Sequence, residues 1–385
     1  MTVEIDRELE AACAKMRPHA ARLVEVLRGA GGELVPKNDI LSAVWGDIHV
    51  SEDSLFQAVH GARRALEACQ GYRIETVHGR GYRWHSQEKA GPSPLEQAPV
   101  RFATSRDGLR IAWTESGAGI PILKCPNWIS HIGMERDSSL HSPFLRGLSR
   151  IGRLVRFDQR GNGLSDWDIS RFSDEDAVAD MEAVVEAAEL DRFFLYGASQ
   201  GVSASFAYAA RHPEQVLGII GRGGYVVGAQ VGGDPVRQKN YEARCAVVRA
   251  GWDSDNAATR AYLSNLIIAN APDSVRASFD ALQRASIAPE RIMIFMDYFG
   301  RVDVREQAAA CSVPVLLLHA EDDPMVPVAA GRQIASMVPR ATLVTLPGAS
   351  HLPVPGTEDF ERTLECIESF VSAHGMAQGA SQQRA

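Results

Sequence analysis

The chain has 385 residues, too many for one small domain and suited to one large domain plus one small one. At 45% hydrophobic and 23% charged it is not a largely disordered chain and has material for a sizeable core. A formal net charge of −8 argues against broad coating of nucleic acid and leaves room for a small local DNA-reading surface. No apolar run approaches the ~18 residues of a membrane span. The acidic start MTVEIDRELEAACAK lacks the layout of a secretion signal. Six cysteines stand far apart, without a CxxC pair or zinc spacing, and are expected as buried thiols of a cytoplasmic protein.

Residues 1–87 carry short helical periods and one hairpin. Leu23, Val24 and Leu27 mark a helix ending near Gly29, and Ile40, Leu41, Val44 and Trp45 a second ending at Gly46. A third opens at Ser51, a suitable N-cap with Glu52 and Asp53 in its first turn. Its Leu55, Val59, Ala62 and Leu66 fall within about 40° of one another at ~100° per residue. The opposite face then holds Gln57, His60, Gly61 and Arg64, with Arg63 on the flank. RIETV, the turn HGRG and YRWH read as a hairpin. EKAGPSPLEQAP, Glu88 to Pro99, reads as the start of a linker over 88–100.

Three helices and a basic-tipped hairpin describe a winged helix. LVPKNDILSAVWG, VSEDSLFQAVHGARRALE and IETVHGRGYRW resemble the effector domain of OmpR-type response regulators over nearly all of residues 10–86. The resemblance implies that the third helix enters the major groove of double-stranded operator DNA and that the hairpin is the wing. Gln57, His60 and Arg64 would then face base edges, and Arg63, Arg80 and Arg83 phosphates. Residues 1–88 hold 11 Lys+Arg against 13 Asp+Glu, whereas residues 60–85 hold five Arg against two Glu. With so confined a basic surface, the expected working unit is a homodimer on two half-sites. A winged helix that serves only as a protein-interaction module is the alternative.

From residue 101 to 374, short apolar strands alternate with helical stretches, the pattern of an α/β fold with a mostly parallel sheet. RFATSRDGLRIAWTESG reads as two antiparallel strands turning at Asp107-Gly108, PILKC as a third strand and RLVRFDQRGNGLSD as a fourth. Ser173 can cap a helix that faces Val178, Met181 and Val185 to the sheet. RFFLYGASQGVSASFAYAARHP then places Gly197-Ala198-Ser199-Gln200-Gly201 between an apolar strand and a helix. A nucleophilic serine on a sharp strand-to-helix turn needs glycines at ±2, so that neighbouring backbones pass without collision. It also needs a base and an acid that orients the base. VPVLLLHAEDDPMVP and ATLVTLPGASHLPVP place Asp323 and His351 in loops after the next two strands.

The order Ser199…Asp323…His351 and the motifs DQRGNGLSD, GASQG, HAEDDPMVP and GASHLP resemble the α/β-hydrolase superfamily over residues 101–374. The resemblance selects Asp323 over Asp322, because Asp323 stands four residues before Pro327. It implies an oxyanion hole built from the Gln200 N–H and one from the loop after the third strand. That loop carries Pro126-Asn127-Trp128 where relatives have His-Gly and an aromatic, making Trp128 the second donor. CPNWISH also resembles hydrolase-like domains fused to transcription-regulator modules. Asp158 and Arg160 are expected to brace the fourth-strand turn. Residues 227–308 correspond to a helical cap, whose RIMIFMDYFGRVD suggests an apolar or aromatic small molecule with a carbonyl group. No nucleotide loop or metal cluster is read, so no cofactor is expected. The tail 375–385 is expected to be disordered.

These features imply an α/β protein: an N-terminal winged helix-turn-helix plus an α/β-hydrolase fold with a cap. The first functional reading is a cytoplasmic, nucleoid-associated regulator whose second domain senses, and in one form hydrolyses, a small ligand. The second is a serine hydrolase (esterase, lactonase or thioesterase-like) with an accessory winged helix. A pure sensor with an idle triad is the third.

Overall fold

The computed structural model describes residues 9, 12–30, 34–46, 50, 52–66, 69, 72–77, 80–86, 95, 98–253 and 258–375. The chain divides into two compact units, Met1–Ser93 and Pro94–Ala385.

The first unit runs α1 (Pro18–Gly29), β1 (Leu34–Pro36), α2 (Lys37–Trp45), α3 (Glu52–Leu66), β2 (Tyr72–Val77) and β3 (Gly81–Ser86). Proline at the first turn starts α1, where its missing N–H has no helical partner to lose. Leu23, Val24 and Leu27 of α1, Ile40 and Trp45 of α2, and Leu55, Val59, Ala62 and Leu66 of α3 close over Ile74, Tyr82 and Trp84. The expected N-cap Ser51 lies outside the described residues. So do His78 and Gly79 of the hairpin turn. β1 is too short for a period and was not expected. It pairs antiparallel with β3, giving the order β1-β3-β2. This pairing accounts for the wing glycine, since a Cβ at Gly81 would lie 2.0 Å from the Val35 carbonyl.

The second unit holds an eight-stranded sheet: β4 (Arg101–Thr104), β5 (Arg110–Ser116), β6 (Pro121–Lys124), β7 (Arg153–Phe157), β8 (Phe193–Ala198), β9 (Val216–Arg222), β10 (Val315–Ala320) and β11 (Ala341–Leu346). Its order is β11-β10-β9-β8-β6-β7-β5-β4. β4 and β5 pair antiparallel, as do β5 and β7, and the other pairs are parallel. Parallel central strands have helices on both faces and become apolar throughout. FFLYGA of β8 and VLLLHA of β10 are accordingly buried along their whole lengths. Covering helices are α4 (Ile132–Asp137), α5 (His141–Ile151), α6 (Asp174–Ala187) and α7 (Gln200–Arg211). Ser173 caps α6 by accepting the Asp176 N–H, as expected. Between β9 and β10 lie α8 (Pro235–Gly251), α9 (Ala258–Ile267), α10 (Asp273–Ser286), α11 (Pro289–Arg301) and α12 (Arg305–Ala309). These form the cap. The fold closes with α13 (Val328–Met337) and α14 (Glu358–Gly375).

Three expectations need adjustment. Within the expected linker, Leu95 is buried in the core of the second unit, and the Pro99 carbonyl accepts the Thr114 hydroxyl. That end of the segment is packed because a leucine gains by burial, while 88–94, 96 and 97 lie outside the described residues. Gly375 ends α14, and the rest of the expected tail lies outside the description. All six cysteines are free, but Cys13, Cys245 and Cys366 are only partly buried.

Gly61 is not on the open face of α3. A Cβ built there would stand 3.7 Å from the Ala20 Cβ of α1, an ordinary contact. Glycine in a helix interior costs about 1 kcal/mol relative to alanine. Gly61→Ala is therefore expected to stabilise the first unit by about 1 kcal/mol, slowing amide exchange at Leu23 and Val59 by about fivefold. Unchanged or faster exchange would show that α1 needs the glycine.

Candidate active site and DNA-facing surface

The carboxyl ends of β6, β8, β9, β10 and β11 supply the site. The strand order reverses between β8 and β6, and open α/β sheets bind ligands beside such a reversal. Ser199 follows β8 with φ 55 and ψ −124, in the left-handed region that side chains rarely adopt. Its N–H donates to the Arg222 carbonyl at 2.9 Å. The turn closes because its surroundings lack side chains. A Cβ at Gly197 would lie 2.4 Å from the Gly201 carbonyl oxygen, and one at Gly223 would lie 2.8 Å from the His351 ring.

Asp323 and His351 meet as expected. His351 Nδ1 lies 2.7 Å from Asp323 Oδ2, and Asp323 Oδ1 accepts the N–H groups of Met325 and Val326 at 2.8 and 2.9 Å. Asp323 thus orients the histidine and ties its own loop. Burial pushes its carboxyl up, but the charge and hydrogen bond of His351 and the Val326 amide hold it below the ordinary value. With Nδ1–H donated to the carboxylate, Nε2 is the basic nitrogen. That atom is buried and has no hydrogen-bond partner among the described residues, so the Ser199–His351 bond is not made. Such bonds are often long before substrate arrives.

Arg222 was not singled out in the sequence, although an arginine ending the apolar run VLGIIGR was a visible signal. Its side chain is wholly buried, forks onto both carboxylate oxygens of Asp359 at 2.7 and 2.8 Å, and donates to the carbonyls of Ser350 and His351. This pins the histidine loop to the end of β9. His319, also missed, packs behind the acid: its Nε2 contacts the Val326 carbonyl at 2.8 Å, and burial lowers its pKa. Asp158 and Arg160 brace their turn as expected. Asp158 accepts the Ile132 and Leu164 amides, and Arg160 binds Asp107, Asp176 and Asp180.

Ser199 and His351 open onto a cavity that both oxyanion candidates, Trp128 and Gln200, also line. The Trp128 ring packs against Trp252 and Phe299 at 6.0 and 5.9 Å between centroids. From RIMIFMDYFGRVD, Met296 and Phe299 line the cavity, while Ile292 and Phe295 are core. The lining is less uniformly apolar than that segment suggests, because α8 adds Arg237 and Arg244.

On the first unit, Gln57, His60 and Arg64 are exposed on α3, and Arg80 is exposed beside the hairpin turn. Phe56, also missed, shares this surface with 61% of its area exposed. Arg83 is half-buried, 3.8 Å from Glu75. Arg63 departs from its expected phosphate role. It donates to the Ile74 carbonyl at 3.0 and 2.7 Å and to the Thr76 hydroxyl at 2.7 Å, fastening α3 to β2. A flank position on the helix points it at the hairpin.

The sheet order, the elbow and the two triad loops define an α/β-hydrolase fold. Residues 133–355 match the family described as alpha/beta hydrolase fold, and the chain belongs to that family. Residues 12–84 match the family described as transcriptional regulatory protein, C terminal. A transcriptional-regulator domain is thus fused to an α/β-hydrolase domain. The first unit is 41% identical over 69 residues to the transcriptional regulator HilA of Salmonella typhimurium, covering 18% of this chain and 12% of HilA. A proline iminopeptidase of Neisseria gonorrhoeae is 34% identical over 128 residues, 30% of this chain and 36% of its own. The chain therefore spans only a minor part of either curated relative. An esterase from Thermogutta terrifontis superimposes with a TM-score of 0.59 at 20% identity, over 72% of this chain and 100% of the esterase. No described helix is long and apolar enough to cross a membrane, and no described group of three or more His, Cys, Asp or Glu side chains could hold a metal.

Arg222→Leu leaves Asp359 buried without its cation and is expected to cost about 3–5 kcal/mol in urea unfolding. Arg222→Leu/Asp359→Leu should recover most of that stability. Neither variant regains the donors to the histidine loop, so both should react slowly at Ser199 with a fluorophosphonate. A double variant reacting at the wild-type rate would reduce Arg222 to a purely structural role.

Proposed function

We propose that the protein is a DNA-binding transcription regulator whose hydrolase unit binds a small carbonyl compound and cleaves it at Ser199. The observation that carries this reading is the Asp323–His351 pair beside a left-handed serine, with Ser199 and His351 facing one cavity. In this mechanism Ser199 Oγ attacks the carbonyl as its proton passes to His351 Nε2. The amides of Gln200 and Trp128 hold the oxyanion. His351 then gives the proton to the leaving group, and water releases the acyl group from Ser199 by the same path. Asp323 keeps the imidazole in the required tautomer throughout. A sensor that binds without turnover is the second reading, with which the unmade Ser199–His351 bond is as compatible as with an enzyme awaiting substrate.

For DNA, the support is the regulator family match together with the exposed set Gln57, His60 and Arg64. Phe56 adds an apolar surface suited to a thymine methyl. Arg80 reaches backbone phosphate, and Arg63 acts through the placement of α3. So small a basic surface works as a homodimer on two half-sites, in the cytoplasm where operator DNA lies.

Ser199 is expected to label with a fluorophosphonate, losing fluoride as Oγ bonds to phosphorus, and Ser199→Ala to remain unlabelled. A folded wild type that does not label selects the sensor reading.

Arg64→Ala should weaken binding to a duplex selected from a randomised pool by about 1–3 kcal/mol. Arg80→Ala should weaken all duplexes alike and reduce the salt slope by about one. Gel-shift titrations at several salt concentrations read both. If neither variant changes binding, α3 and the wing do not read DNA.

A further inference from the structure

The cavity over Ser199 carries charge of one sign. Its lining contains two guanidinium groups, Arg237 and Arg244, and no aspartate or glutamate. Both stand on α8, seven residues apart, so they share one face and lie ~10 Å apart along the axis. Neither makes an ion pair among the described residues. Arg237 donates to the Val227 carbonyl at 2.8 Å and lies over the Tyr225 ring, 5.7 Å from its centroid. Arg244 donates to the Met325 carbonyl at 3.2 Å and lies over the Tyr241 ring at 5.5 Å. The neighbouring acid Asp234 caps α8 through the amides of Val236 and Arg237. Asp323 lies behind His351 with its side chain wholly buried. Of the lining histidines, His141 is pushed down to about 4 by burial and is neutral at physiological pH.

This treatment differs from that of three deeply buried arginines. Arg156, Arg160 and Arg222 each meet a carboxylate of the chain. A partly buried guanidinium without a counter-ion is costly, and an arriving anion offsets that cost. Arg237 keeps N–H donors free after its Val227 carbonyl contact, as does Arg244 after its Nη1 contacts to the Met325 carbonyl and thioether, and such a fork matches the two oxygens of a carboxylate. The rest of the cap side is apolar: Tyr241, Leu263, Ile267, Phe279, Met296 and Phe299.

We infer that the substrate is a carboxylate-bearing acyl compound, an ester or lactone whose carboxylate is held by Arg237 and Arg244 while its carbonyl lies at Ser199. The inference rests on the hydrolase reading above and names the substrate class of that site.

The test compares the mono-p-nitrophenyl ester of glutaric acid with p-nitrophenyl pentanoate, acyl groups of equal length with and without the carboxylate. Wild type is expected to favour the glutarate ester in kcat/KM by about tenfold or more. Arg237→Met and Arg244→Met should each lower that ratio by about tenfold, and Arg244→Lys by less, because it keeps the charge and loses the fork. The ratio is insensitive to general damage to the triad. A wild type that labels at Ser199 yet shows no preference, or variants that leave the ratio unchanged, overturn the carboxylate subsite while the hydrolase reading stands. A wild type that turns over neither ester and does not label removes the hydrolase reading. The subsite is then judged by titrating glutarate against tryptophan fluorescence: saturable binding lost in Arg237→Met/Arg244→Met supports it, and no saturation with wild type overturns it.

Discussion

A serine held at φ 55 is the constraint on which the second unit depends. That backbone state costs of order 1–3 kcal/mol and persists only where the surroundings over-determine it. Here β8 enters the turn with six buried residues, and α7 leaves it with ten. Two packed elements therefore fix both ends of a single awkward residue. The glycine requirement extends beyond the motif itself. Gly224, in the neighbouring loop, has the Val202 side chain where a Cβ would stand, 2.3 Å away. At this crowded edge Ser199 and His351 both line the cavity, and the His351 ring lies against Gly223.

What was legible in the sequence follows from range. Ser199, Asp323 and His351 each sit in a loop directly after an apolar strand, so local pattern and chain order located them without contacts. Gln57, His60 and Arg64 were legible because a helical wheel separates a buried from an exposed face. A wheel assigns faces and not partners. It could not show that Arg63 turns to Ile74 and Thr76, or that Gly61 looks toward Ala20. Arg222 and Asp359 are 137 residues apart, and no local pattern joins them. Arg237 and Arg244 were not singled out in the sequence, because only the packing of α8 brings them to the cavity.

The chain uses arginine in two ways, and the contrast separates structure from site. Arg160 gathers Asp107, Asp176 and Asp180 to hold the fourth-strand turn of the second unit, and Arg222 joins α14 to the histidine loop. In each case removing the cation would strand a buried carboxylate, so these residues carry stability as well as geometry. Arg237 and Arg244 are anchored by carbonyls and rings and, for Arg244, by the Met325 thioether. Their removal strands no acid, which makes them poor structural elements and suitable ones for recognition.

The placement of α8 links recognition to chemistry. The chain enters the cap from Gly223, beside the His351 ring, and Arg244 of the cap returns to the loop of Asp323 through the Met325 carbonyl. Met325 also donates its N–H to Asp323 Oδ1, so one residue lies between the cap arginine and the triad acid. A carboxylate held as proposed against α8 would thus touch, through Arg244, the loop that orients His351. Binding energy from a part of the substrate that does not react raises the rate only when it improves the arrangement at the reacting atoms. The hydrogen bond from Ser199 to His351 Nε2 is unmade, and Arg244 is a cap residue in contact with the loop of the acid that orients His351.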